Sequence, residues 1–117
     1  MKSNTRLTRI NDEIVRVLAE VIRGELRDPR LEMVGVQRAE TTKDLKFCKI
    51  YVSALGQSEA DVLAALKSAN GLLRKRLADT LDLRQTPELI FKYDDGLVHA
   101  MKMQQRIAEV VRKDEEK

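Results

Sequence analysis

Three consecutive cations, Arg74, Lys75 and Arg76, follow the small and polar residues Ala69, Asn70 and Gly71. Both flanks read as helix, "SEADVLAALKSA" before and "LLRKRLADTL" after. Gly costs a helix roughly 1 kcal/mol relative to Ala, and Asn somewhat less. The pair therefore marks a break between two helices. The chemistry such a break offers is anion binding. A helix starting near Gly71 directs its first backbone N–H groups and the positive end of its dipole outward. Lys67, Arg74, Lys75 and Arg76 supply formal charge, and the small residues Ala69 and Gly71 let a phosphate backbone come close. The alternative is a plain helix–turn–helix corner, with Gly71 there only to let the chain reorient.

A second basic feature lies near the N-terminus, where Arg9, Arg16 and Arg23 recur at seven-residue spacing. They form either a phosphate-binding ridge or, with Glu13 and Glu20 within helical reach, a solvated salt-bridge face. Phe47, Lys49 and Tyr51 alternate along one candidate strand and offer either a platform for RNA bases or ordinary cross-strand pairs. His99 is the only histidine and Cys48 the only cysteine, so no metal-ligand constellation and no cofactor is expected. Cys48 alternates with Ile50 and Val52, which makes it a core thiol. No phosphate-binding glycine loop, nucleophile elbow or Cys–His pair at a recognisable spacing is present. The expectation is a binding protein and not an enzyme.

These residues need elements to position them. Residues 5–27 carry Leu7, Ile10, Ile14, Val17, Leu18, Val21, Ile22 and Leu26 at spacings of three and four, predicting a long amphipathic helix that stops at Asp28-Pro29. Residues 33–41 and 46–54 read as two strands joined by a short polar connection, a hairpin. Ser58, with Asp61 three positions on, resembles a capping box and starts a helix running to about Ala69. A second helix runs from about Gly71 to Leu81. "TPELIFKY" reads as a third strand with Leu89, Phe91 and Tyr93 on one face, and residues 97–112 as a last helix. The fold class is α+β, with helices covering one face of a three-stranded sheet. Residues 1–113 are expected to form one domain and 114–117 a short charged flexible tail.

Of the 117 residues, 43% are apolar and 35% charged, with a net charge of +3. That suits a small domain with solvated faces, and the mild basic excess permits nucleic-acid binding. No apolar run approaches the length of a membrane span, and the N-terminus reads straight into a charged helix without a leader. With one cysteine, a reducing, cytoplasmic setting is expected.

The segments "RINDEIVRVLAEVIRGELRDPRL", "TTKDLKFCKIYVSAL", "ANG" and "PELIFKYDDGL" together resemble the bacterial ribosome-binding factor A family over nearly the whole chain. The resemblance implies a type-II KH-like domain in which an Ala-x-Gly kink, here Ala69, Asn70 and Gly71, replaces the usual Gly-x-x-Gly loop. It also implies a monomeric, non-enzymatic factor that binds the small ribosomal subunit and its rRNA. Such a factor assists late maturation and 5′-end processing of that rRNA and supports growth in the cold, with assembly GTPases as candidate partners. Many members carry a longer charged tail than this chain. Two other readings remain: a helix–turn–helix DNA binder with residues 71–82 as recognition helix, against which the opening Leu72-Leu73 speaks, and a protein-interaction domain with no RNA role.

Overall fold

The computed structural model describes residues 5–94. Helix α1 (Thr5–Gly24) leads through a single 3-10 turn (Pro29–Leu31) into a hairpin of β1 (Val34–Thr41) and β2 (Phe47–Ala54). Two helices, α2 (Glu59–Ser68) and α3 (Asn70–Thr80), then cross to β3 (Glu88–Tyr93). This is the expected α+β, KH-like order. The 97–112 helix, His99 and the 114–117 tail lie outside the described residues.

The sheet order is β1-β2-β3, with β1 antiparallel and β3 parallel to the central strand. A parallel neighbour cannot be reached by a tight turn, and α2 and α3 provide the crossover. The alternation in the hairpin does what the pattern requires: Cys48, Ile50, Val52 and Ala54 point into the core while Phe47 and Lys49 point away. From the helices, Ile14, Leu18, Val62, Leu66, Leu73 and Leu77 complete that core. Cys48 is fully buried, and burial pushes its thiol pKa upward.

Helix α1 ends earlier than its apolar periodicity suggests. The Glu25 amide makes the last ordinary i→i−4 bond, to the Val21 carbonyl at 2.8 Å, and the Leu26 amide folds back on that same carbonyl at 3.1 Å, closing the helix at Gly24. The following residues are stiffened by Asp28, whose carboxylate accepts from the Arg30 amide at 2.9 Å and from the Arg30 guanidinium at 2.7 Å. Those bonds hold the Asp28 carboxyl below its usual range. This early end sets Glu25 at the tip of α1, beside α3.

The hairpin is tied to the N-terminal half of α1 by Asn11. Its Oδ1 accepts from the Thr41 amide at 2.9 Å and from the Thr41 hydroxyl at 2.6 Å. The tip of the hairpin places Leu45 in the left-handed region, φ 60°, an uncommon conformation for a branched aliphatic residue.

Candidate nucleic-acid interface

The break between α2 and α3 is a single residue. Ser58 caps α2, its Oγ accepting from the Asp61 amide at 3.1 Å, as the capping signature predicts. At the other end Ala69 has φ −88° and ψ 0°, and its amide is still bonded to the Ala65 carbonyl at 3.1 Å. Helix α3 starts at the next residue, with no side chain capping it. Alanine is a poor cap, so neither the residue type nor its geometry supplies the usual helix-starting chemistry here. The one-residue joint also separates this arrangement from a DNA-binding helix–turn–helix, which uses a turn of three or four residues.

Two further features fall on the break. A Cβ added to Gly71 would meet nothing within 4 Å, and Gly71 has no positive φ. Neither backbone conformation nor packing calls for glycine there, yet its helix-propensity cost is present. Beside it, Asn70 Oδ1 is buried and accepts no hydrogen bond, the single such side-chain atom among the described residues. An acceptor in that state costs about 1–3 kcal/mol. Exposed backbone at a glycine and an unsatisfied polar atom thus meet on three residues.

The cations around the break divide into two kinds. Lys67, in the last turn of α2, and Lys75 are exposed and have no acidic partner among the described residues. Arg74 and Arg76 are engaged. The Arg74 guanidinium donates to the Thr86 carbonyl at 2.9 Å and the Pro87 carbonyl at 3.2 Å, tying α3 to the segment that enters β3. Arg76 forms a two-armed pair with Glu25: Nε lies 2.9 Å from each carboxylate oxygen and Nη2 2.8 Å from Oε1. Asp79 stands further off at 3.7 Å. The hydrogen bonds from Arg76 hold the Glu25 carboxyl below its ordinary pKa, and Glu25 in turn raises that of Arg76.

On α1 the three spaced arginines are all exposed, but not equally free. Arg9 pairs with Glu13 at 3.7 Å and Arg16 with Glu20 at 3.4 Å, the salt-bridge face considered above. Arg23, near the helix end, has no acidic partner among the described residues. The structure thus sets Arg9 and Arg16 in ion pairs and leaves Arg23 open.

On the sheet face turned away from the described helices, one side of the Tyr51 ring is already covered. Arg38 sits over its ring, 3.8 Å from Cζ to the centroid, and Arg38 is Tyr51's register partner across the hairpin. Asp94, at 2.9 Å, and Glu40, at 3.5 Å, hold the guanidinium in place, and the Tyr51 hydroxyl donates to Glu40 at 3.3 Å. Of the two readings of this face, the cross-strand pair is the one present. Of the two aromatic residues on β2, Phe47 is the more exposed, at 42%.

Sequence reading missed Glu25. Its position in the chain gives no hint, because the periodicity of α1 carries it inside the expected helix. Among the described residues no helix is long and apolar enough to cross a membrane.

Comparison with known proteins agrees with this architecture. A family model described as ribosome-binding factor A matches residues 6–107. Ribosome-binding factor A of Agathobacter rectalis is 42% identical over 114 residues, covering 95% of this chain and 94% of that protein. The crystal structure of ribosome-binding factor A from Thermus thermophilus superposes with a TM-score of 0.70 at 32% identity, covering 74% of this chain and 94% of that one. A homology model of the Thermus thermophilus factor, fitted into a cryo-electron-microscopy map of a 30S complex, superposes with a TM-score of 0.62 at 33% identity, over 72% and 90% of the two chains.

Proposed function

The chain belongs to the ribosome-binding factor A family, and from that premise we propose that it binds the small ribosomal subunit during assembly, through rRNA contacted around the α2–α3 break. The observation that carries the proposal is the likeness to a relative placed in a 30S complex. The site is argued from the coincidence of an uncapped helix start, an open Gly71 and an unsatisfied Asn70.

The physical role follows from the parts. Lys67 and Lys75, cations with no acidic partner among the described residues, lie on opposite sides of the break and suit successive phosphates. Gly71 lets the RNA backbone approach α3 closely. Ala69 and Asn70 set the angle at which α3 begins, and Arg74 fixes α3 to the sheet so that the angle is kept. Arg23 extends the cationic surface along α1, while Arg9 and Arg16 enter it only by leaving Glu13 and Glu20. A protein of this kind needs no catalytic group. By binding one conformation of immature rRNA more tightly than others it shifts the population toward it. Late maturation and 5′-end processing of the small-subunit rRNA, support of growth in the cold, action as a cytoplasmic monomer and cooperation with assembly GTPases fit this role and belong to the same proposal.

Co-sedimentation tests it. The protein should travel with free small subunits and not with large subunits or joined ribosomes. Equal recovery with all three, or with none, would overturn the reading.

A further inference from the structure

We infer that Glu25 is a specificity-determining residue of this interface: its carboxylate occupies Arg76 as a resident anion, and an rRNA phosphate takes its place on binding. The inference rests on the reading of the α2–α3 surface as an rRNA site.

Four observations support it. Arg76 lies one and a half turns beyond Gly71 on the helix that begins at the break, one residue from the outward-facing Lys75. Its pairing with Glu25 uses both carboxylate oxygens at 2.8–2.9 Å, the same two-armed geometry by which a guanidinium grips a phosphate. The pair is open to ligand, with side chains 35% and 41% exposed, and exposed pairs of this kind contribute little to stability. Finally, Glu25 stands just past the C-terminal end of α1, where the helix dipole disfavours an anion. Its own helix gives no reason for a carboxylate there, and its partner on α3 does.

Exchange of carboxylate for phosphate keeps Arg76 paired throughout, so it costs cognate RNA little. It costs other RNA more. A phosphate arriving alone competes with an anion tethered to the protein at high effective concentration. A phosphate carried by RNA already held at Lys67, Gly71 and Lys75 arrives at a comparable effective concentration and wins. Glu25 thereby discriminates against loosely bound RNA through a built-in repulsive element.

The test compares wild type, Glu25→Gln, Arg76→Gln and the double variant for binding to free small subunits and to polyuridylate, with thermal melts alongside. Glu25→Gln should tighten polyuridylate binding by about fivefold, the scale of one exposed charge pair, and small-subunit binding by less. Adding Arg76→Gln should cancel the gain. An independent measurement needs no variant: in wild-type protein titrated with oligouridylate, the NMR resonances of the Arg76 Nε–H and the Glu25 carboxyl carbon should move together. Unchanged or weaker polyuridylate binding by a folded Glu25→Gln protein, or a Glu25 carboxyl signal that stays put while RNA binds, would make the pair an α1–α3 clamp and overturn the inference. Failure of wild type to bind small subunits would instead remove the interface reading itself.

Discussion

Arg74 is bonded to Thr86 across the crossover, its Nη2 donating to the Thr86 carbonyl at 2.9 Å while its Nε donates to the neighbouring Pro87 carbonyl at 3.2 Å. A cation that the sequence pattern groups with Lys75 and Arg76 thus serves the geometry of α3. Arg74→Ala should lower unfolding stability by about 1.5–3 kcal/mol, the range for hydrogen bonds made by a charged donor. Lys75→Ala, on an exposed side chain without an acidic partner among the described residues, should change stability by less than about 0.5 kcal/mol and weaken small-subunit binding. Urea denaturation of the two variants separates the roles, and equal destabilisation by both would contradict them.

The break itself should trade stability for binding. Gly71→Ala meets no steric obstacle and gains up to about 1 kcal/mol of helix propensity. Asn70→Ala removes a buried acceptor that has no donor among the described residues. The double variant should therefore melt about 5 °C or more above wild type, on the usual scaling for a domain of this size, yet bind small subunits less well. A stabilised variant that binds like wild type would reduce the break to a corner of the fold.

Cys48 should behave as a core atom. It is fully buried, and burial raises its thiol pKa. A thiol reagent at neutral pH should leave the native protein unmodified and react only after denaturant is added. Cys48→Ala should cost around 1 kcal/mol or somewhat more through a small cavity, with small-subunit binding retained in the folded fraction. Rapid modification of the native protein would place the thiol at the surface.

Acid should weaken the region between α1 and β1. Asp28 and Glu25 both have folded-state pKa values below the ordinary carboxylate range, through hydrogen bonds from Arg30 and Arg76 respectively. As pH falls through that range the unfolded chain takes up protons first. The small stability that these solvent-screened pairs contribute at neutral pH is therefore lost progressively down to the folded-state values. Denaturation midpoints measured from pH 7 to pH 3 should fall, and Asp28→Asn should flatten part of that fall. An identical pH profile for the variant would show that the Asp28–Arg30 pair does not contribute.

Most of the fold was legible because local signals dominate it. The 3.6-residue stripe of α1, the alternation of Cys48, Ile50 and Val52, the Ser58–Asp61 cap and the Ala69-Asn70-Gly71 signal, whose break falls on Ala69 with Asn70 and Gly71 already in α3, each act within a few residues of chain. The site was legible in outline only. Position in sequence places Arg74, Lys75 and Arg76 together, but their partners, Thr86 and Pro87 for Arg74 and Glu25 for Arg76, come from other elements brought near by the crossover. Arg38 over Tyr51 is hidden for the same reason, since it depends on the hairpin register and on the irregularity between Val36 and Arg38. The end of α1 is a nearer case: its apolar stripe continues to Leu26, but the fold-back onto Val21 stops the helix at Gly24 and frees Glu25 to turn toward α3.

The central claim is that Lys67 and Lys75, on either side of the Ala69 break, hold phosphates of small-subunit rRNA, and a salt titration tests it most directly. For wild type, log K for small-subunit binding should fall against log salt with a slope of about −2 to −4, as expected for three to five phosphate contacts. In Lys67→Gln with Lys75→Gln, a variant that keeps the break and both engaged arginines, the slope should become shallower by about two, close to one for each phosphate-contacting lysine removed. A flat salt response in wild type, or an unchanged slope in the variant, would contradict the claim.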